Sequence, residues 1–333
     1  MIRLSVRLAS VAALVALSLS LFQAAAQQQV PPAPAPDSSA AAPSAPAPSA
    51  APVFPKPDPA NFTAASPTKE AVDAFLHVLW GYDDSRMWQV WAILKTPAEG
   101  VSKVEVLVGD RTGKQKPMSA LFFVTPDGKH LIAGDEVEVF GEHPFAEARA
   151  MLQQRADGFY RGSAMKDLEL VEFADFQCPG CKAAQANMDK LAVDFPNARV
   201  VYQNYPLPQH PAAAGAAAYG VCVGKEGGSN AFFTFAAAVY DGQDGLATPD
   251  GATLTLNSAA AKAGLDPAKI EACAKTPAVV AQVEASAKLG RDLNINQTPT
   301  LMINGRQVPI GGASYDVIKQ IVQYQEKLDG IAP

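Results

Sequence analysis

The chain has 333 residues, with 27 lysines and arginines against 33 aspartates and glutamates, which gives a formal net charge of −6. These charges are spread without long runs, and no basic stripe of the kind that binds nucleic acid is present in the sequence. We therefore expect no nucleic-acid partner. Beyond an N-terminal leader and linker, about 270 residues remain, which is enough for two domains.

The first 26 residues have the features of a secretory signal peptide. Arg3 and Arg7 supply a basic start, residues 8–22 form an apolar core, and the alanines at 24–26 offer an A-x-A cleavage site. The apolar run is shorter than the roughly 20 residues that a membrane-spanning helix needs. We expect a periplasmic or secreted protein, in a compartment where disulfides persist. The alternative is an uncleaved N-terminal segment that tethers the protein to a membrane.

Residues 27–60 are rich in proline, alanine and serine. Such a segment has too little bulky apolar surface to offset its ordering entropy, which predicts a disordered and extended linker. Two interpretations remain open for it: a tether that holds the folded part away from a membrane or wall, and a dispensable solvated tail.

Residues 61–160 predict a small α+β domain. Ser66-Pro67 is a helix-start signal, and the apolar residues after it recur at helical spacing. Strands are predicted at 87–94, 101–108, 121–124, 130–132 and 137–140, and a second helix at 144–152. The domain contains no cysteine and no clustered catalytic residues. Residues 157–164 are interpreted as the connection to a second domain at 161–333.

A Cys-x-x-Cys motif, Cys178-Pro179-Gly180-Cys181, stands at the junction of a predicted strand and a predicted helix. Unpaired N–H groups and the positive end of the helix dipole point at the Cys178 sulfur and favour a thiolate there. Cys181 lies one turn further on, close enough to form a disulfide with Cys178. We therefore predict a redox-active dithiol in which Cys178 is the nucleophile and Cys181 the resolving partner.

The remaining pattern predicts an α/β domain with a helical insertion. A strand at 198–204 completes a βαβ unit, which implies a parallel pair of strands. Residues 207–290 are mostly helical in pattern. Strands return at 300–303 and 307–310 around an Asn-Gly turn, and a final helix covers 313–328.

Three motifs occur in one order along the second domain. They are Glu-Phe-x-Asp-Phe-x-Cys-Pro-x-Cys at 172–181, Tyr-Pro-Leu-Pro-x-His-Pro at 205–211, and Thr-Pro-Thr-x-x-x-Asn-Gly at 298–305. Together they resemble the DsbA-like branch of the thioredoxin fold. The resemblance implies an α/β thioredoxin fold with a helical insertion at about 207–290. The redox centre is the dithiol itself, so we predict no cofactor and no metal.

The resemblance assigns roles to residues outside the dithiol. Pro299 matches the family's cis-proline, which faces the Cys-x-x-Cys loop, and Thr298 before it offers its backbone to a bound substrate strand. Glu172 matches a buried acid, which would accept the proton of Cys181 during resolution. The alternative for Glu172 is a carboxylate that points to solvent.

The two residues between the cysteines, Pro179 and Gly180, are expected to lie in the substrate-binding region. They also control how well the Cys178 thiolate is stabilised. Some strongly oxidising relatives carry a histidine where this chain has Gly180, which supplies no donor. The resemblance therefore predicts a moderate oxidant.

The other two cysteines, Cys222 and Cys273, lie in separate predicted helices of the insertion. Several relatives with this layout join two such cysteines, so the resemblance implies a structural disulfide. The alternatives are two buried thiols or an auxiliary redox pair. A zinc site is disfavoured, because these cysteines do not form a second Cys-x-x-Cys.

A Cys–His protease that uses His210 is also disfavoured, because no oxyanion machinery is visible in the sequence. We predict instead that His210 packs against or caps a helix that starts near Pro211.

These features predict an exported thiol–disulfide oxidoreductase that acts on cysteine-containing exported proteins and is recycled by a separate redox partner. Residues 123–132 of the first domain resemble a hairpin of the DsbC and DsbG isomerases, in which such a domain dimerises. This favours a disulfide isomerase that forms a homodimer through residues 61–160. The alternatives are a monomeric DsbA-like oxidase and a non-enzymatic chaperone that binds client proteins.

Overall fold

The computed structural model describes residues 54–112 and 116–332. The predicted signal peptide and most of the predicted linker lie outside these residues. The described residues divide into two compact units, with the boundary between Pro144 and Phe145. This boundary is earlier than the predicted one at 160/161, which is therefore wrong.

The first unit is an antiparallel sheet covered by one helix. Its elements are α1 (Lys69–Trp80), β1 (Arg86–Lys95), β2 (Ser102–Asp110), β3 (Met118–Val124), β4 (His130–Ala133) and β5 (Glu136–Val139), and the strand order follows the chain. The helix begins at the Thr68 cap, whose hydroxyl accepts the Ala71 N–H, rather than at the predicted Ser66-Pro67. Val72, Phe75 and Leu76 of α1 are buried with inward-facing residues of the sheet, which gives the unit its own core.

The described part of this unit includes the end of the predicted linker. The Pro55 carbonyl accepts a hydrogen bond from the Gln89 side chain at 3.0 Å, and Asp58 caps a 3-10 turn over Pro59–Asn61. The prediction of disorder is therefore wrong for residues 54–60. The composition of this segment did not reveal the contact, because it depends on a single aromatic side chain: the Phe54 ring lies against the sheet at Gly109.

The second unit is built on a mixed sheet of five strands. Its sheet elements are β6 (Phe159–Gly162), β7 (Leu168–Ala174), β8 (Ala198–Asn204), β9 (Thr300–Ile303) and β10 (Arg306–Pro309), in the order β10-β9-β7-β8-β6. β7 pairs with β8 in parallel and with β9 antiparallel. All seven residues of β7 are buried, because helices cover both faces of the sheet.

Helices make up the rest of the second unit. They are α2 (Ala146–Arg155), α3 (Pro179–Asp194), α4 (Ala213–Asp241), α5 (Pro249–Lys262), α6 (Pro267–Ala274), α7 (Pro277–Asp292) and α8 (Tyr315–Leu328). The insertion runs from α4 to α7. α4 is interrupted at Gly228, which has a φ of 74°. The predicted fold class is confirmed: an α/β unit with a helical insertion, preceded by a small α+β unit.

The boundary lies earlier than predicted because α2 packs against the second sheet and β6 is one of its strands. Leu152 and Ala156 are buried in one cluster with Val171 and Val201, and β6 pairs with β8. Residues 157–164 are therefore not a simple connection. Periodicity revealed the helix, but it could not reveal which sheet the helix covers. Within the described parts of the chain, no helix combines the length and the hydropathy that crossing a membrane requires.

Candidate active site

The Cys-x-x-Cys motif occupies the turn between β7 and α3. Cys178 is the N-cap of α3 and Pro179 is its first residue, which needs no N–H partner. The Cys178 N–H donates to the Asp175 carbonyl at 3.0 Å, which closes the turn. Both cysteines are free thiols; Cys178 is 8% exposed and Cys181 is fully buried.

The two thiols have opposite electrostatic surroundings. The pKa of Cys178 is lowered to about 5, first because the Cys181 thiol donates a hydrogen bond to its sulfur, and further by the N–H groups of Cys181 and Gly180. Burial raises the pKa of Cys181 well above its ordinary value, and its bond to Cys178 acts in the same direction. Sequence reasoning sought a donor in the intervening dipeptide, whereas the largest contribution comes from the second cysteine.

A loop from the other half of the sheet faces the dithiol. The Thr298–Pro299 peptide bond is cis, and the Thr298 carbonyl lies 3.5 Å from the Cys178 sulfur. Gly180 leaves little space beside it: an added Cβ would lie 3.2 Å from Cδ of Pro299 and 3.7 Å from the Cys178 sulfur. The structure thus brings Cys178, Gly180, Thr298 and Pro299 together.

Glu172 lies beneath the dithiol on β7. It is 2% exposed, so the alternative of a carboxylate that points to solvent is wrong. The Gln185 side chain donates to its Oε1 at 3.0 Å and to the Cys181 carbonyl at 3.1 Å, which ties the carboxyl group to the second cysteine. Burial raises the pKa of Glu172 to about 8.

The other two cysteines form a disulfide in the insertion. Cys222 on α4 is bonded to Cys273 on α6, with their Cα atoms 6.1 Å apart. Neither sulfur is therefore a thiol that could bind zinc with Cys178 and Cys181. Among the described residues, no group of three or more histidine, cysteine or acidic side chains is placed to hold a metal ion.

Several residues around the motif were missed by sequence reasoning. The buried Gln243 donates through Nε2 to the Phe176 carbonyl at 2.8 Å and to the Cys178 carbonyl at 3.0 Å. No local pattern marked it, because it follows α4 in a helical stretch. His210 does not cap α4, whose N-cap is Ala212. Its Nδ1 instead lies 2.7 Å from Oδ2 of Asp175, a residue that the sequence presented only as part of a motif.

Comparison with known proteins bears on the second unit. A family model described as thioredoxin matches residues 155–323. The Na⁺/H⁺ antiporter NhaA 1 of Mycolicibacterium vanbaalenii is 30% identical over 149 residues, which are 44% of this chain and 23% of the antiporter. NhaA 3 of Salinispora tropica is 30% identical over 151 residues, which cover 44% and 22%. This chain therefore spans less than a quarter of the length of these curated relatives.

Solved structures also resemble the chain. The catalytic domain of Proteus mirabilis ScsC is 22% identical with a TM-score of 0.45, and the match covers 54% of this chain and 98% of that domain. Pseudomonas aeruginosa DsbA2 is 26% identical with a TM-score of 0.43, covering 50% of this chain and 93% of that chain.

Proposed function

The chain belongs to the thioredoxin family, and from this premise we propose that it is an exported thiol–disulfide oxidoreductase with Cys178 and Cys181 as its redox centre. One observation carries the proposal: two free thiols lie at one helix N-terminus, and their surroundings shift their pKa values in opposite directions. Hydrogen bonds favour a thiolate at Cys178, whereas burial keeps Cys181 protonated. Such a pair separates the sulfur that meets the substrate from the sulfur that resolves the mixed disulfide.

The reaction in the oxidising direction starts from a Cys178–Cys181 disulfide. A substrate thiolate attacks the Cys178 sulfur, the bond to Cys181 breaks, and Cys181 leaves as a thiolate that takes up a proton. A second substrate thiolate then attacks the substrate sulfur of the mixed disulfide and releases Cys178. The substrate loses two electrons and the protein gains them. The low pKa of Cys178 makes it a good leaving group, which favours this direction.

Glu172 has a chemical role in this scheme. Its carboxyl group is buried and tied to the Cys181 backbone through Gln185. It can give a proton to Cys181 when that sulfur leaves, and take one when Cys181 attacks. A pKa of about 8 allows the group to exist in both protonation states near neutral pH.

The substrate is a cysteine-containing exported protein in an extended conformation. The backbone of Thr298, beside Cys178, offers hydrogen bonds to such a strand, which give affinity without requiring one sequence. A separate redox partner would reoxidise the dithiol. The predicted signal peptide supports a periplasmic or secreted location.

Oxidation of reduced ribonuclease in a glutathione buffer tests this function. We expect the wild-type protein to restore ribonuclease activity and Cys178→Ser to abolish this effect. The matched control is the double variant Cys222→Ser/Cys273→Ser, which loses two cysteines but keeps the dithiol and should retain activity. Equal loss in both variants would contradict the assignment of the redox centre.

A disulfide isomerase is the second candidate, because the first unit is a separate compact unit with its own core, as an added client-binding domain would be. Reactivation of scrambled ribonuclease by the full chain and by residues 145–333 separates the two candidates. If only the full chain reactivates the substrate, the isomerase is supported, and with it a homodimer through residues 61–160 as the form to examine. If neither protein does so while both oxidise reduced ribonuclease, the oxidase is supported.

A further inference from the structure

Asp175 contacts both cysteines through its backbone. It lies between β7 and α3, where its N–H points at the Cys181 sulfur at 3.4 Å and its carbonyl accepts the Cys178 N–H at 3.0 Å. The position of this one peptide segment therefore affects both ends of the dithiol. Any group that fixes Asp175 also fixes the donor that faces Cys181.

The Asp175 side chain is held from a different part of the chain. It is buried, and its Oδ1 accepts the Gln177 N–H at 2.7 Å. Its Oδ2 accepts the Leu207 N–H at 2.9 Å and lies 2.7 Å from Nδ1 of His210. A buried carboxylate is costly unless its oxygens are paired, and here three donors satisfy them. The His210 side chain is partly exposed, whereas the Asp175 side chain is fully buried.

The Gln177 side chain provides a second connection between this turn and distant parts of the chain. The Gln177 carbonyl oxygen Oε1 accepts the Ala212 N–H at 2.8 Å, and its Nε2 donates to the Leu246 carbonyl at 3.1 Å. The turn before the dithiol is thus attached to residues 207–212 on one side and to the insertion on the other. His210 is the member of this set whose side chain can be altered without touching the turn itself.

We propose that Asp175 and His210 form a positioning pair that holds the Asp175 N–H against the Cys181 sulfur and thereby speeds resolution of the mixed disulfide. This inference rests on the proposed function of the dithiol. Resolution requires Cys181 to become anionic as it attacks, and a fixed N–H donor stabilises the developing charge. Burial raises the pKa of Cys181, and the Asp175 N–H acts in the opposite direction.

The reaction of the reduced protein with glutathione disulfide separates the two steps. In the first, the Cys178 thiolate attacks one glutathione sulfur, the S–S bond breaks, and one glutathione leaves as a thiolate that takes up a proton. In the second, Cys181 loses its proton to Glu172 and attacks the Cys178 sulfur, which releases the second glutathione. Two electrons pass from the dithiol to glutathione disulfide. Acid quenching and mass spectrometry of the full chain measure both rates.

We expect His210→Ala to slow the second step about tenfold, the effect on a rate of losing one hydrogen bond to a charged group. The first step should change less than about twofold, because the groups that lower the pKa of Cys178 lie in α3 and at Thr298 rather than at Asp175 or His210. His210→Asn should restore most of the second rate, since its amide nitrogen takes the place of Nδ1. The reduction potential should shift with His210→Ala and return with His210→Asn.

The first unit supplies a matched control. His130 and Asp127 form a pair with the same Nδ1 to Oδ2 distance of 2.7 Å, but on an exposed turn. His130→Ala should change neither step. If His210→Ala does not fold, His210→Gln takes its place, because it keeps polarity and bulk but moves the donor by one bond.

Two results would overturn the pair's role. The first is a second step of wild-type rate in a folded His210→Ala or His210→Gln protein. The second is an equal slowing of both steps that His210→Asn does not repair, which would indicate general damage to the fold. A wild-type protein that never acquires glutathione at Cys178 would instead contradict the dithiol function and, with it, the positioning role.

Discussion

The protein holds two pairs of cysteines in opposite settings. Cys178 and Cys181 are separated by two residues at the start of α3 and are free, whereas Cys222 and Cys273 are 51 positions apart and bonded. In the first pair the surroundings of the two sulfurs differ, and the difference favours a thiolate at one of them. The second pair joins two helices of the insertion. Placement relative to backbone donors and to burial, rather than residue type, decides which pair can react.

The largest expected effect is a trapped intermediate. Cys181→Ser leaves the Cys178 nucleophile in place but removes the sulfur that resolves the mixed disulfide, so covalent complexes with substrate proteins should accumulate. Non-reducing electrophoresis after incubation with scrambled ribonuclease, whose disulfides the Cys178 thiolate attacks, will reveal them. Cys178→Ser is the control and should form none. Complexes formed equally by both variants would place the reactive sulfur elsewhere.

The second pair should affect stability instead of turnover. Replacing both Cys222 and Cys273 with serine opens a long loop in the unfolded chain, which should lower the free energy of unfolding by roughly 4 kcal/mol. Denaturant titration of the variant and the wild type measures this loss. The reduction potential of the Cys178–Cys181 pair should remain at its wild-type value. A changed potential would show that the two pairs are coupled.

The next prediction concerns the pH at which the first pair ionises. The ultraviolet absorbance of the thiolate should titrate near pH 5 in the wild type and disappear in Cys178→Ser. The folded pKa lies below the ordinary value, so the thiolate stabilises the reduced fold at high pH, and this stability is lost as pH falls toward 5. Relative to that of the oxidised form, the free energy of unfolding of the reduced form should therefore rise by about 1.4 kcal/mol per pH unit between about pH 5 and 8. Equal pH dependence of the two forms would contradict a low pKa.

Glu172 should give an effect on stability with the opposite sign. Its pKa is raised to about 8, so the folded protein keeps a proton that the unfolded chain releases, and stability falls between about pH 4.5 and 8. Glu172→Gln should remove this decrease in stability with rising pH. It should also remove the rise in the rate of Cys181 attack as pH approaches 8. The control is Glu169→Gln on the same strand, a buried acid 3.4 Å from Arg199, which should leave the pH profile of the attack unchanged.

Sequence reasoning succeeded where local chemistry determines structure. The strand, the Cys-Pro-Gly-Cys turn and the helix follow one another along the chain, so their order was readable from spacing. It failed where a residue acts on a distant one. Gln243 reaches the Cys178 carbonyl from a position 65 residues away, and α2 covers a sheet that the sequence did not connect to it. Spacing carries no information about such contacts.

His210 shows the same limit within a recognised motif. The motif located the residue, but its partner Asp175 is 35 positions away, and the sequence predicted only that His210 packs against or caps a helix. A histidine can donate, accept or carry charge, so its role depends on what faces it in the folded protein.

The smallest effect tests how closely the loop of Thr298 and Pro299 approaches the dithiol. Gly180→Ala adds a Cβ at 3.2 Å from Pro299, whereas Gly215→Ala, near the start of α4, meets nothing within 4 Å. Replacing a helical glycine by alanine commonly stabilises a protein by about 0.4–1 kcal/mol through the unfolded chain. Gly215→Ala should show this gain in full, and Gly180→Ala should show less of it, with turnover of ribonuclease lowered by less than about threefold. The difference between the two gains in stability measures the crowding of the added Cβ against Pro299. Equal gains and unchanged turnover would mean that the loop gives way at no cost, and that a larger residue between the cysteines is tolerated.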